Sequence, residues 1–330
     1  MENVLERLGL FIICFFLSGI GAFIISKYGK ALGLSDQPNK RSSHKEVVSK
    51  GGGDGILATF VVYSIAIHLP KMFWIPAMSL SLFSFWGDRY EMSPKKRLLF
   101  QFAIGAIFLI GVLWEKQNTA ILYALIPLLL IYIVGTANYF NFMDGINGIA
   151  AVTGIIGFGF LSWFAASDGS DPRIGALCIC LSLACLGFLP FNMPKARVFM
   201  GDVGSILLGF VFAELVVWLS KSLLDFICLA AFLFPFYADE LTTLAVRIKD
   251  NDRLTKPHRK HLYQLLANEY RIPHWKVSIA YGVTQLLIGI SVMMAKNIGS
   301  VMVILMLVVY FCGFAEISWL IRKKLVGRIG

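Results

Sequence analysis

Long apolar stretches alternate with short polar ones along the whole chain. A helix that crosses a bilayer needs about 20 mostly apolar residues. Segments of this kind are 7–27, 51–69, 72–87, 98–115, 119–137, 148–166, 174–191, 203–220, 224–241, 276–295 and 298–321. The pattern predicts an all-α, polytopic integral membrane protein with about 11 transmembrane helices. Because the apolar excess is spread evenly, we expect residues 1–330 to form a single transmembrane domain with functional loops.

Composition excludes an ordinary soluble domain. The chain is 57% hydrophobic and 15% charged, whereas soluble domains are about 45–50% apolar and about 25% charged. A soluble fold of this length has no use for so much apolar surface. The bilayer is therefore the first partner that the sequence predicts.

Positive charge is distributed unevenly between alternate loops. Most of the 30 Lys and Arg residues fall in 28–50, 88–97, 192–202, 242–275 and the C-terminal tail. Under the positive-inside rule these loops are cytoplasmic, which places the N-terminus outside and the C-terminus inside. Basic loops beside anionic headgroups account for the net charge of +10, so we expect no nucleic-acid partner.

The predicted cytoplasmic loops are also the long, polar ones. Transporters usually carry ionisable residues near the middle of the membrane. Here Glu214 and Glu316 are the main charged residues inside apolar segments. This pattern favours an enzyme that works at the cytoplasmic interface over a transporter.

The densest polar motif runs from Asn138 to Gly148. It contains Asn138, Asn141, Asp144 and Asn147 among glycines at a helix end. Asn side chains recognise sugar or amide groups, and a helix that begins after Asn147 would offer free N–H groups to a phosphate. The alternative is an ordinary capped turn.

A second motif, Phe199-Met-Gly-Asp-Val-Gly-Ser205, surrounds Asp202 with glycines where a short loop enters a helix. A carboxylate in this place suits Mg²⁺ on a diphosphate. The competing interpretation is N-capping of the helix by Asp202.

A third motif lies in the largest predicted cytoplasmic loop, where His258 and His261 are three residues apart. If helical, they share one face, and with Arg259 and Lys260 they form a cationic patch for a diphosphate. A zinc pair and a solvated basic surface are the alternatives.

Two further clusters combine charge with turn residues. Asp88 ends a predicted helix just before the basic run that includes Arg97, an arrangement suited to a metal and a lipid phosphate. Lys50 precedes three glycines and a helix, which is a weak signal for a phosphate cradle.

Together these motifs resemble the polyprenyl-phosphate N-acetylhexosamine-1-phosphate transferases (glycosyltransferase family 4) over about residues 30–270. The O-antigen-initiating branch is the most similar, through the motifs Arg41-Ser-Ser-His44, Gly51–Gly53 and His258-Arg-x-His-x-Tyr-Gln264. The resemblance implies transfer of an N-acetylhexosamine 1-phosphate from a UDP-sugar to undecaprenyl phosphate, with release of UMP, at a bacterial inner membrane. Mg²⁺ is the implied cofactor, with Mn²⁺ as the alternative.

The resemblance also suggests roles for single residues. Asp202 and Asp144 would bind the metal, and Asp88 and Asp144 would be catalytic. The substrates would contact Lys50, Arg97, Asn138, Asn141, Asn147, His258, Arg259 and His261. The family normally carries two adjacent Asp residues after the third helix, and here the pair reads Gly87-Asp88. That departure leaves a non-catalytic or transport protein derived from the same fold as the alternative. A homodimer is left open.

Overall fold

The structure is a computed structural model that describes residues 2–38, 43, 46–90, 92–116, 120–253 and 258–329. The side chains of 2–7, 88, 89, 116, 120–123 and 326–329 lie outside this description. Its helices are α1 Glu2–Tyr28, α2 Asp54–Ala66, α3 Lys71–Arg89, α4 Pro94–Lys116, α5 Ala120–Phe142, α6 Ile149–Ser167, α7 Pro172–Asn192, α8 Asp202–Leu219, α9 Leu223–Ala230, α10 Phe234–Lys249, α11 Leu262–Gln264, α12 His274–Lys296 and α13 Ser300–Ile329. The prediction of an all-α polytopic membrane protein is confirmed.

Within the described residues, eight helices are long and apolar enough to cross a membrane, so the predicted count of eleven is not confirmed. They are α1, α4, α5, α6, α7, α8, α12 and α13. The predicted segment 51–69 contains the short helix α2, and 72–87 lies within α3. The predicted segment 224–241 is interrupted, because the 3-10 turn Ala231–Leu233 separates α9 from α10. Pro235 near the start of α10 suits a helix beginning, where a missing N–H costs nothing.

Helix α8 is the centre of the bundle. In its 18-residue apolar stretch, 89% of the residues are buried, and the helix packs against α3 and α5. The corresponding share for α13 is 6%, and exposed residues such as Val301 and Val309 cover its surface. An outward surface of this kind suits contact with lipid. The first residues of α8 therefore belong to the most deeply buried of these eight helices.

A small sheet, not predicted from the sequence, joins two loops at the end of the bundle where α8 begins. Its strands are β1 Ser35–Asp36, β2 Val48–Lys50 and β3 Val198–Phe199. Strand β2 pairs antiparallel with β1 and parallel with β3, where Ser49 lies opposite Val198. Strands of two or three residues carry no readable periodicity, so the pattern of apolar residues could not reveal them.

The glycine run after β2 serves close packing. The N–H groups of Gly51 and Gly52 donate to the carbonyl of Phe199, and that of Gly53 donates to Met200. A Cβ at Gly53 would lie 2.4 Å from the Cα of Gly204, so only glycine permits this approach. The suggestion that this run cradles a phosphate is wrong, because its N–H groups already bond to the loop before α8.

Candidate functional site

Asp202 is the first residue of α8, and cationic side chains surround its carboxylate. Arg97 forms a charge-assisted hydrogen bond to Oδ2, and Lys50 Nζ lies 3.9 Å from Oδ1. The N-cap position of α8 belongs to Gly201, so the capping interpretation of Asp202 is not supported. The structure brings together three residues predicted from separate motifs, from β2, α4 and α8.

Asn141, near the end of α5, completes the surroundings of Asp202. Its Nδ2 donates to Asp202 Oδ1 at 3.0 Å and to Ser205 Oγ at 2.8 Å. Ser205 in turn donates to the carbonyl of Gly201 at 3.0 Å. Ser205 was not among the predicted residues, although its position one turn after Gly201 was a usable signal.

Asp144 lies in the turn between α5 and α6. Loss of hydration, followed by the negative charge of Asp202, raises the pKa of Asp144 to about 8, while Lys50 partly opposes this change. Two carboxylates close enough to repel each other form a donor set that a divalent cation would stabilise. In the described part of the chain, no three His, Cys, Asp or Glu side chains converge. A Mg²⁺ here would therefore rely on one or two carboxylates and on substrate phosphates, as is usual for this ion.

Asn138 and Asn147 lie in the same segment but have other partners. Asn138 Nδ2 donates to Gln101 Oε1 at 2.6 Å, which ties α5 to α4. Asn147 Nδ2 donates to the carbonyl of Pro194 at 3.1 Å. The first contact joins two helices, and the second orders the loop between α5 and α6.

Two of the N–H groups that were expected to be free for a phosphate, just before α6, are already bonded. The N–H of Gly148 donates to Asn192 Oδ1 at 2.6 Å, and that of Asn147 donates to His274 Nδ1 at 3.3 Å. Asn192 is buried at the end of α7 and was missed, because a single Asn at a helix end carries little signal.

His258 and His261 come close together, but not on a helix. Residues 258–261 precede α11, and the two rings are 4.8 Å apart. Burial, the charge of His261 and that of Arg247 lower the pKa of His258 to about 4. Arg259 is partly buried in the same segment. The predicted shared helix face is therefore wrong, and at neutral pH His258 adds no positive charge to the predicted cationic patch.

His261 is almost fully buried between two carboxylates. Its Nδ1 lies 3.7 Å from Asp239 Oδ1, and its Nε2 lies 3.7 Å from Glu240 Oε1. Burial alone would lower the pKa of His261, but Asp239 and Glu240 raise it above the usual value. This ring is thus positioned by α10.

Residues 258–273, between α10 and α12, are here called the histidine segment. Within it, Tyr263 contacts the turn that contains Asp144. Its ring stacks on His261 with centroids 5.7 Å apart, and its hydroxyl donates to the carbonyl of Phe142 at 2.8 Å. A Cβ at Gly145 would lie 2.2 Å from this hydroxyl, so the glycine leaves room for it. Tyr263 was quoted in the motif but given no role, since an aromatic residue in a loop has many possible functions.

The predicted catalytic residue Asp88 ends α3, and its side chain lies outside the described residues. Its neighbour Gly87 is described. The carbonyl of Gly87 accepts a hydrogen bond from Arg97 Nη2 at 2.8 Å. Arg97 thus bridges the end of α3 and the start of α8.

Comparison with known proteins is consistent with this site. The sequence profile described as Glycosyl transferase family 4 matches residues 71–220, which include Asp144 and Asp202. The Bacillus subtilis protein named "Probable undecaprenyl-phosphate N-acetylglucosaminyl 1-phosphate transferase" is 25% identical over 97% of this chain and 95% of its own length.

Two other relatives extend the comparison. The undecaprenyl-phosphate alpha-N-acetylglucosaminyl 1-phosphate transferase of Thermotoga maritima is 29% identical, over 85% of this chain and 88% of its own length. The phospho-N-acetylmuramoyl-pentapeptide-transferase of Staphylococcus saprophyticus is 32% identical, over 61% of this chain and 67% of its own length. With these matches and the convergence of Asp144, Asn141 and Asp202, the chain belongs to the polyprenyl-phosphate hexosamine-1-phosphate transferase family.

Proposed function

We propose that this protein transfers an N-acetylhexosamine 1-phosphate from a UDP-sugar to undecaprenyl phosphate and releases UMP. The observation that carries the proposal is the convergence of Asp202, Asp144, Lys50, Arg97 and Asn141 at one end of the bundle. The names of the relatives from Bacillus subtilis and Thermotoga maritima state this acceptor and an N-acetylglucosaminyl 1-phosphate group.

The reaction is an exchange of phosphorus–oxygen bonds. An oxygen of the lipid phosphate attacks the phosphorus that carries the sugar, and the bond to the bridging oxygen of UMP breaks. The bridging oxygen and its electron pair leave with UMP, and the lipid gains a diphosphate-linked sugar. A phosphate monoester is already anionic near neutral pH, with a second pKa of about 6. Positioning and charge neutralisation are therefore what the protein must supply.

Lys50 and Arg97 are suited to neutralise the substrate phosphates. Both approach Asp202 from side chains that are about one-third exposed, at 33% and 31%, so they can exchange a carboxylate partner for a phosphate. Asn141 fixes the orientation of Asp202 through its hydrogen bond. A Mg²⁺ held by Asp202 and Asp144, with Mn²⁺ as the alternative, would neutralise the diphosphate and the departing UMP.

The raised pKa of Asp144 allows its carboxyl to lose a proton when a cation binds beside it. Near neutral pH its raised pKa keeps the carboxyl protonated while Asp202 is the nearby charge. Positive charge that enters beside it lowers this pKa and releases the proton. Asp144 would then serve as metal ligand or base, and Asp88 stays the second candidate for a catalytic carboxylate.

The histidine segment is proposed to cover the donor. His258 and Arg259 would contact the diphosphate, while His261 keeps the segment attached to α10. Asn138 and Asn147 would order the loop beside the nucleotide or sugar. The product would start a lipid-linked surface glycan, O-antigen or similar, at the bacterial inner membrane, with the N-terminus outside and the C-terminus cytoplasmic.

One assay tests the proposal. Purified protein is incubated with Mg²⁺, undecaprenyl phosphate and a panel of UDP-N-acetylhexosamines, and UMP release is measured. We expect release with at least one sugar, dependence on both Mg²⁺ and the lipid phosphate, and its loss in Asp202→Asn. No release with any sugar from folded protein would contradict the proposal and favour a non-catalytic or transport role.

A further inference from the structure

A chain of polar contacts joins the cytoplasmic-side end of α13 to the histidine segment. We infer that Arg322 is a positioning residue that acts through Thr243 and Asp239 on the segment that carries His261 and Tyr263. The kinetic part of this inference rests on the proposed transferase function. Arg322 lies outside residues 30–270, so the family resemblance assigns it no role.

The first step is the contact of Arg322 with α10. Its Nη2 donates to Thr243 Oγ1 at 3.2 Å, and its Nε donates to Ser318 Oγ at 3.1 Å. Ser318 lies one turn earlier on α13 and is buried. The guanidinium is therefore held at both ends, between its own helix and α10.

The second step runs through the hydroxyl of Thr243. This hydroxyl has one proton, and a guanidinium is only a donor, so Arg322 must occupy an oxygen lone pair. The Thr243 proton then points to an acceptor, of which Asp239 Oδ1 at 3.1 Å is the nearer and the carbonyl of Lys260 at 3.4 Å the other. Arg322 thereby holds Thr243 Oγ1 in place beside these two acceptors.

The third step is the capping of α11 by Asp239. Oδ1 accepts from the N–H of Leu262 at 2.8 Å, and Oδ2 accepts from that of Tyr263 at 3.1 Å. The Tyr281 hydroxyl donates to Oδ2 at 2.7 Å. A displacement of Asp239 therefore moves the first turn of α11 with it.

The last step reaches the proposed reacting groups. Tyr263 stacks on His261 and donates to the carbonyl of Phe142, two residues before Asp144. The separate bond from the Tyr270 hydroxyl to the carbonyl of Ile321, at 3.0 Å, gives α13 a second attachment to the same segment. The otherwise lipid-exposed α13 thus has an inward contact where it leaves the membrane.

The neighbouring cations on α13 provide a contrast. Lys323 and Lys324 are exposed, whereas Arg322 is partly buried. Burial of a guanidinium is costly unless an opposite charge compensates, and the buried Asp239 carboxylate supplies part of that charge. This makes Lys324→Gln a matched control for Arg322→Gln, because both remove one positive charge from the same turn.

The test compares Arg322→Gln, Lys324→Gln, Thr243→Val and the double variant Arg322→Gln/Thr243→Val in the full-length protein. Hydrogen–deuterium exchange is followed in the peptide that contains Leu262 and Tyr263, and kcat and KM are measured by UMP release. We expect at least fivefold faster exchange in Arg322→Gln and at least fivefold lower kcat/KM for the UDP-sugar, because the displaced segment carries the proposed diphosphate contacts. Lys324→Gln should match the parent, and the double variant should equal Thr243→Val alone.

Additive effects of the two substitutions, or equal exchange in Arg322→Gln and Lys324→Gln, would overturn the inference. If Arg322→Gln does not fold, Arg322→Lys is examined with the same measurements and should fall between parent and Thr243→Val. If the parent releases no UMP, the proposed function fails, whereas the exchange comparison still decides whether Arg322 positions the segment.

Discussion

Asp202 and Asp239 are carboxylates near the same end of the bundle, and their surroundings are opposite in kind. The Asp239 side chain is 0% exposed, and backbone N–H groups and hydroxyls from three elements fill its oxygens. The Asp202 side chain is 17% exposed and faces the side chains of Arg97, Lys50 and Asn141. Two of the Asp239 donors are backbone N–H groups, which cannot move away from the carboxylate. The named partners of Asp202 are side chains, which can.

This difference indicates which carboxylate holds the fold and which can bind a ligand. A carboxylate filled by fixed donors is costly to change and has no capacity left for a substrate. A carboxylate with side-chain partners can exchange them for a metal or phosphate. In sequence, Asp202 has the appearance of a helix cap and Asp239 has none, yet Asp239 caps α11 from 23 residues away along the chain.

The largest expected effect is that of Asp202→Asn. We expect UMP release to fall by at least about 100-fold, since a positioned catalytic group contributes about 10²–10⁴. The unfolding temperature should change little, because Asp202 is partly exposed and its cationic partners can hydrate. UMP release and thermal unfolding of the purified protein give the two readings. Parental activity at low Mg²⁺ concentration would show that Asp202 only stabilises the start of α8.

The next effect should come from Asp239→Asn, with the opposite balance. The new amide presents NH₂ to donors that previously met oxygen, whichever way it is turned. An unsatisfied buried donor costs about 1–3 kcal/mol, so the free energy of unfolding should fall by about that amount. Asp250→Asn is the control, because the exposed pair of Asp250 with Lys260 contributes little. If Asp239→Asn and Asp250→Asn were equally stable, Asp239 would not stabilise the fold more than an exposed carboxylate does, and its contrast with Asp202 would be lost.

A smaller effect is expected for Asn141→Ala. The substitution removes the hydrogen bonds to Asp202 and Ser205. One such bond contributes about 0.5–1.5 kcal/mol, so kcat should fall about three- to tenfold while the protein stays folded. The dependence of UMP release on Mg²⁺ concentration is the measurement. A loss as large as that of Asp202→Asn would mean that Asn141 itself contacts the substrate.

The smallest effect concerns pH and His258. Its pKa in the folded protein is about 4, below the ordinary 6.5, because it is buried beside His261 and Arg247. Between these values the unfolded chain binds a proton that the folded protein does not, so stability is lost as pH falls from about 6.5 to about 4. His258→Gln should lose less stability than the parent across this range, measured by thermal unfolding at pH 7 and pH 5. Parallel losses would place His258 in a more hydrated environment.

The sequence was sufficient for the all-α membrane class and for most of the Asp202 surroundings, but not for the number of spanning helices. Apolar runs of bilayer length and the Asn141, Asp144 and Asp202 motifs are strong local signals, and the motifs are found together in the structure. Lys50 and Arg97 were predicted as binding residues from their charged, turn-rich motifs together with the family resemblance. The structure shows both beside Asp202.

The remaining features depend on contacts distant in sequence. Tyr263 and Arg322 act through partners far along the chain, and neither sits in a pattern that distinguishes it from an ordinary aromatic or basic residue. The break between α9 and α10 had one signal, Pro235, which an apolar-window search overlooks. The N–H groups of Asn147 and Gly148 are occupied, which the sequence did not predict, because Asn192 and His274 meet the chain there.

The parallel pairing of β2 with β3 has a consequence for biosynthesis. Lys50 leaves the ribosome about 150 residues before Val198 and Phe199, its strand partners. At about 5–20 residues per second this interval is about 8–30 s. During that time the Gly51–Gly53 backbone lacks the loop to which its N–H groups bond in the folded protein. The surroundings of Asp202 therefore cannot assemble before residue 198 has been made, and a nascent chain stopped there would carry five of the eight described bilayer-length helices without the pairing of β2 and β3.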